Sequence, residues 1–159
     1  MPTTPLSITT PLPGVTLRRL TRKDADLVYD LERKNIAADG RISSTELYKR
    51  RIDSGKYLAF GLFLGADSCG YSLIEIKEVD GVKTGNWLKF VSDQKGRSLG
   101  SVMAIAIGEE LKKIGVKTII GRCEPALLKY YQRLGAKAQG VLPNFFGPGK
   151  EAIALKVEF

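Results

Sequence analysis

The sequence predicts an α/β fold whose sheet contains an antiparallel meander, and three observations predict it. Helix-period and strand-period apolar patterns alternate along the chain. Three consecutive strand-like runs lie between residues 57 and 92, joined by short turns. After residue 98 the period becomes helical, and a strand, a helix and two further strands follow. At 159 residues and 17.4 kDa, without internal repeats, the chain is one domain long enough to bury a real core.

Taken in order, four of the seven prolines fall within residues 1–14, among threonines. Proline removes donors and threonine favours extended backbone, so 1–14 is expected to be a tail, or an arm lying on another element, with the domain spanning 15–159. "VTLRRL" alternates like a half-buried strand. "TRKDADLVYDLERKN" sets Ala25, Leu27, Val28 and Leu31 at helical spacing behind a Thr21 or Asp24 cap. "ISSTELYKRRIDSGK" predicts a second short helix, with Ser43 and Glu46 at capping-box spacing. "YLAFGLFLG" and "SCGYSLIEIKE" are strands about a Gly65-Ala66-Asp67 turn, and "GNWLKFVS" follows the turn at Val79-Asp80-Gly81.

Leu99, Val102, Met103, Ala106, Ile107, Leu111 and Ile114 then describe a helix with one apolar face, stopped by Gly115. "VKTIIGRC" is a strand. "EPALLKYYQRLG" is a helix with Pro125 at its first position and Gly135 just past its end. "AKAQGVL" and "EAIALKVEF" are strands around the loop "PNFFGPGK". The expected order is β-α-α-β-β-β-α-β-α-β-β.

Composition narrows the chemistry. Lys+Arg 25 against Asp+Glu 17 gives +8, a charge that attracts phosphorylated cofactors, nucleic acid or an acidic membrane face. With no histidine in the chain, a Ser/His/Asp triad and a histidine-ligated zinc are both excluded. Cys69 and Cys123 stand alone without CxxC spacing, which reads as thiols in a reducing compartment. No apolar run approaches the ~20 residues of a membrane span, and the first residues lack a signal-peptide pattern. A cytoplasmic protein without membrane attachment is expected.

Two segments can carry chemistry. Lys95-Gly96-Arg97-Ser98-Leu99-Gly100 is a basic, glycine-containing turn opening a helix between two strands. Free N–H groups and the positive end of the dipole make such a turn a phosphate site; a plain turn with solvated basic residues is the alternative. The string is not a P-loop, because GxxxxGK[ST] is absent. In "EPALLKYYQRLGA", Leu127, Tyr131 and Leu134 share a stripe, so Tyr131 is either a core aromatic or a functional one. Tyr130 lies about 100° round the helix.

Together these segments resemble the GNAT superfamily of acetyl-CoA-dependent N-acetyltransferases. "QKGRSLGS" looks like the family's pyrophosphate loop, with Lys95, Ser98 and Gly100 at its marked positions, and "YYQRLGA" looks like its Leu-Tyr-x-x-x-Gly-Phe segment, placing Tyr131 and Gly135. "VTLRRLTRKDADLVYDLE" is similar to its opening strand and first helix. Lys95 replaces arginine or glutamine, Ser98 a glycine, Tyr130 a leucine and Ala136 a phenylalanine. Glu124 stands where many members carry an asparagine near the pantetheine arm. The resemblance covers residues 15–159 and implies a three-layer fold: a mixed, mostly antiparallel sheet flanked by about four helices.

It also implies direct acetyl transfer from acetyl-CoA to a primary amine of a small molecule, a peptide, or a protein lysine or N-terminus, with no metal. Lys95, Gly96, Arg97, Ser98, Leu99, Gly100 and Ser101 would hold the pyrophosphate. A backbone N–H near Phe90 or Val91 would face the thioester oxygen, and Tyr131 would serve the departing thiolate. The amine must lose a proton; Glu75 and Asp93 are the candidate bases, each also readable as a solvated surface acid, and a base acting through water is the alternative. The acceptor would enter near residues 33–45 and 142–150, where Phe145 and Phe146 either wall a pocket or pack the loop down. A CoA-binding module without catalysis is the first alternative, and the resemblance allows a homodimer. A nucleic-acid-binding domain is disfavoured, because aromatics and basic residues do not interleave along a strand.

Overall fold

The computed structural model describes residues 7–35, 42–92 and 99–159. β1 (Ser7–Thr9) pairs antiparallel with β2 (Val15–Arg19), Ile8 lying opposite Leu17. The sheet therefore takes in residues 7–9, ahead of the expected boundary at residue 15. Apolar contact explains this: Ile8 and Leu12 pack on the core around Leu17, while the Thr10 hydroxyl donates to the Val15 carbonyl at 2.7 Å.

Thr21 caps the next turn as expected: its backbone N–H donates to the Asp24 carboxylate at 2.8 Å, and its hydroxyl accepts from the Lys23 N–H. α1 (Ala25–Asn35) follows. α2 (Thr45–Asp53) is capped one residue later than expected, because the Ser44 hydroxyl accepts the Leu47 N–H at 3.1 Å. Ser43 accepts instead from Arg51.

β3 (Tyr57–Leu64), β4 (Asp67–Val79) and β5 (Val82–Ser92) form the expected meander, with β4 and β5 longer than their apolar runs suggest. The extra length lies in polar residues that pair up to a two-residue turn, Asp80-Gly81, where both φ values are positive at 52° and 79°. That geometry follows the strand twist and favours glycine at its second position. α3 (Leu99–Lys113), β6 (Val116–Cys123), a short turn of helix at Pro125–Leu127, α4 (Leu128–Arg133), β7 (Lys137–Leu142) and β8 (Ala152–Glu158) complete the chain. The sheet order is β1-β2-β3-β4-β5-β6-β8-β7, antiparallel except for β5 with β6.

Strand alternation sorts the core into two faces. Leu17, Leu62, Ile74 and Ile119 face Leu99, Met103, Ile107 and Leu111 of α3. Ala59, Tyr71, Leu73 and Val91 face Val28 and Leu31 of α1 and Tyr48 of α2. A third cluster sets Cys123, Ala136, Ile153 and Leu155 under Leu128 and Tyr131 of α4. The result is three layers, with α1 and α2 on one side and α3 and α4 on the other. Among the described residues, no helix is long and apolar enough to cross a membrane.

Two features position the cleft described below. The parallel pairing of β5 with β6 runs from Lys83–Val116 only as far as Asn86–Ile120. Beyond it, β5 stays with β4, and its register shifts because Leu88 is an extra residue between Trp87, opposite Ile74, and Lys89, opposite Leu73. β6 stays with β8. The second feature is a buried charge: Glu32 on α1 has no solvent exposure, and Lys89 Nζ stands 3.0 Å from its Oε1. Neither carboxylate oxygen accepts a well-directed hydrogen bond among the described residues, so the ammonium is its compensating charge.

Lys89→Met should therefore destabilise the protein by about 3–5 kcal/mol, since it strands a carboxylate in an apolar layer. Lys89→Met with Glu32→Met should recover most of that loss in urea unfolding. Equal stability of the single variant and the parent would show that the pair is not buried as described.

Candidate active site

Where β5 and β6 part, the sheet is open to both faces, and a cavity of about 770 Å³ occupies the gap. Its walls are Trp87–Val91 of β5 and Gly121–Glu124 at the end of β6. On the α3 and α4 side it reaches Ile105, Gly108 and Tyr131; on the α1 side it reaches Asn35, Lys89 and Arg122, with Phe145 and Phe146 from the loop before β8.

Aromatic rings line the passage. Phe90 tilts against Trp87 at 5.8 Å between centroids, and Tyr131 meets Phe90 edge-on at 6.1 Å. Tyr130 meets Tyr131 at 5.1 Å and an interplanar angle of 77°. The Trp87 indole N–H donates to the Lys89 carbonyl at 3.0 Å, satisfying a backbone group in the stretch where β5 has no β6 partner.

The two tyrosines do different things. Tyr131 points into the cavity, and among the described residues nothing hydrogen-bonds to its hydroxyl. Burial, with smaller contributions from Tyr130, Cys123 and Glu124, pushes its phenol up to about 12. It is a neutral donor throughout the physiological range. Tyr130, read from spacing alone as the residue turned about 100° away, instead reaches the first turn of α3, where its hydroxyl lies 3.1 Å from Ser101 Oγ. A Cβ at Gly100 would stand 3.1 Å from that same hydroxyl and 3.5 Å from the Phe90 ring. A side chain at Gly100 would require the Tyr130 hydroxyl to move by a few tenths of an ångström.

Of the other candidates, Leu99 is buried, while Gly100 and Ser101 open α3 beside Phe90 and Tyr130; none of the three lines the cavity. Phe90, Val91 and Glu124 line the cavity. Asp93, Lys95, Gly96, Arg97 and Ser98 lie outside the described residues. Glu75 is a correction. It does not line the cavity; Tyr57 donates to it at 3.1 Å and Lys77 pairs with it at 3.6 Å. Its place on β4, one strand in from the gap, explains why. Among the described residues, no group of three or more His, Cys, Asp or Glu side chains is placed to hold a metal ion.

Phe145 and Phe146 wall the cavity and keep substantial exposure, at 49% and 40%. Sequence reasoning missed Arg122, Asn86 and the Glu32–Lys89 pair. A signal for Glu32 exists: it falls four residues after Val28, an acid on an apolar stripe. Arg122 carries no such mark, since its neighbours Asn86 and Phe145 come from two distant segments.

No protein-family model and no curated protein matches the chain. Solved structures do. The ribosomal-protein-S18-alanine N-acetyltransferase from Escherichia coli superposes with a TM-score of 0.77 at 19% identity, covering 91% of this chain and 93% of its own. A protein of the GNAT family from Desulfovibrio desulfuricans gives 0.72 at 16%, covering 91% and 98%. A mutant spermidine N-acetyltransferase from Vibrio cholerae gives 0.73 at 14%, covering 92% and 95%.

The Tyr130–Ser101 contact yields a stability test. Tyr130→Phe and Ser101→Ala should each cost about 0.5–1.5 kcal/mol, and the double variant no more than the larger single loss. Tyr131→Phe, which deletes no hydrogen bond among the described residues, should unfold at the parent's urea midpoint. Additive losses at Tyr130 and Ser101 would mean that the two hydroxyls do not bond.

Proposed function

We propose, from the premise that this chain has the GNAT fold, that it moves an acetyl group from acetyl-CoA directly to a primary amine. The observation carrying this reading is the cavity through the sheet. Reactants approaching from opposite faces can meet inside it, held by two strands rather than by mobile loops.

On the α3 side, the first turn of α3 supplies free backbone N–H groups at the positive end of a helix dipole, suited to a pyrophosphate. The pantetheine arm would run along β5 past Phe90. The amine nitrogen attacks the thioester carbon, forming the C–N bond while negative charge builds on the oxygen. A backbone N–H beyond Asn86 meets that charge; strand alternation turns Val91 the same way as Lys89, whose carbonyl faces the gap. The C–S bond then breaks, and its electron pair goes to sulfur. The amine's proton leaves through cavity water, with Glu124 at the mouth as the exposed acceptor carboxylate.

Tyr131 is assigned to the sulfur. Full proton transfer from a phenol near 12 to a thiolate near 8.5 would be uphill by roughly 5 kcal/mol. The phenol therefore stabilises the thiolate by a hydrogen bond, and the proton comes finally from solvent. The acceptor differs among the structural neighbours, an alanine of a ribosomal protein in one and spermidine in another, so the fold alone does not choose it.

Calorimetry with acetyl-CoA tests the binding half. The parent should bind, and Gly100→Glu should lose binding while keeping its circular dichroism, since the added side chain fills the start of α3. Binding without acetyl transfer to any amine, peptide or protein would make the chain a CoA-binding module.

Kinetics test Tyr131. Tyr131→Phe should lower kcat by roughly 10- to 10³-fold with little change in KM for acetyl-CoA. Because the phenol is raised, it stays protonated to about pH 12 and adds no falling limb below pH 10. The variant's pH profile should therefore drop without shifting. Full activity in Tyr131→Phe would return this residue to a packing role.

A further inference from the structure

We propose that Arg122 binds a carboxylate of the acceptor, so that the substrate is an amine that is also an acid. This deepens the acetyl-transfer reading and rests on it.

Strand register decides which reactant Arg122 would face. Tyr57, Glu75, Asn86 and Ile120 stand side by side across four strands, and Tyr57 packs with the α1 and α2 layer. Arg122, two residues beyond Ile120, emerges on that same side, opposite the face where α3 opens. Its Nη2 donates to Asn86 Oδ1 at 2.8 Å, which agrees with this placement. Arg122 thus borders the acceptor's half of the cavity, away from the helix start assigned to the coenzyme.

Its partners among the described residues are neutral. Asn86 takes one donor, and the Phe145 ring lies over the guanidinium with its centroid 5.3 Å from Cζ. Among the described residues no carboxylate pairs with Arg122, although it is half-buried on an aromatic wall. Lys89, on the same face, is matched by the buried Glu32. A charge held in a partly dry wall with no counter-ion is costly to maintain, and a ligand anion removes that cost. The fork of the guanidinium, fixed at one edge by Asn86, leaves further N–H donors in the geometry that a carboxylate accepts. Phe145 and Phe146 flank it, so an acceptor with an apolar body beside its carboxylate fits best. A polycationic acceptor would meet like charge there.

The test compares acids with their amides: phenylalanine against phenylalaninamide, and phenylalanyl-glycine against its amide. Calorimetry on the full chain with CoA present should show, in at least one pair, the acid binding roughly ten- to a hundredfold more tightly. Arg122→Met should bring that ratio to about one, Arg122→Lys should restore part of it, and circular dichroism should show both variants folded. Acetyl-CoA affinity should stay within about twofold in Arg122→Met. Acids binding no better than amides in both pairs would overturn the proposal, as would a preference that survives Arg122→Met. A large loss of acetyl-CoA affinity in that variant would assign Arg122 to the coenzyme's phosphates and overturn it equally. Acids bound through Arg122 with no acetyl product formed would leave the anion site standing and sink the transfer reading alone.

Discussion

The separation of β5 from β6 after Asn86–Ile120 is the constraint on which the rest of the molecule depends. Elsewhere, inside the edge strands β1 and β7, each strand is held along most of its length by its neighbours. At the gap, two strands remain rigid through their outer partners, β4 and β8, while their facing edges lie open. Leu88, the extra residue in β5, shifts the register at the gap, and a bulge bends and twists its strand locally. The opening is thus framed by the most strongly paired part of the fold, which is how a sheet presents backbone groups to a ligand without becoming mobile.

Each layer contributes one kind of group to that opening. The α3 side brings Ile105, Gly108 and Tyr131, with the start of α3 beside Phe90 and Tyr130. The α1 side brings charge: Lys89 neutralised by Glu32, and Arg122 set between an amide and a ring. Buried pairs of the first kind contribute little net stability, yet they tolerate no single deletion. Glu32 and Lys89 therefore tie α1 to β5 at the point where β5 loses β6. The division of labour, with dipole and small residues on one face and paired charge on the other, suits two reactants of different character.

Desolvation sets the chemical tone of the site. The cavity walls are mostly apolar, and the burial that raises the Tyr131 phenol also raises the Cys123 thiol. Such surroundings hold phenols and thiols neutral and make each remaining charge more consequential. Tyr131 is accordingly a donor rather than an acid in the proposed reaction.

Local chemistry made most of the fold legible in the sequence. Alternation revealed the strand at Val15, apolar runs bounded by turns revealed those of residues 57–92, the helical stripe from Leu99 to Leu111 revealed α3, and Asp80-Gly81 marked a turn with positive φ. These signals are carried by neighbours within a few residues, where propensity and period act. The pairing of residues 7–9 was not legible, because a threonine-rich stretch becomes a strand only when an edge is there to receive it. The cleft was legible in part: Tyr131 stands out on the stripe of α4 and lines the cavity, whereas the reach of Tyr130 to Ser101 depended on where α4 docks against α3. Tertiary structure alone decided that Tyr57 donates to Glu75, that Glu32 meets Lys89, and that Arg122 meets Asn86 and Phe145. Those contacts span 18 to 57 residues of chain, and no local propensity encodes a partner at that distance.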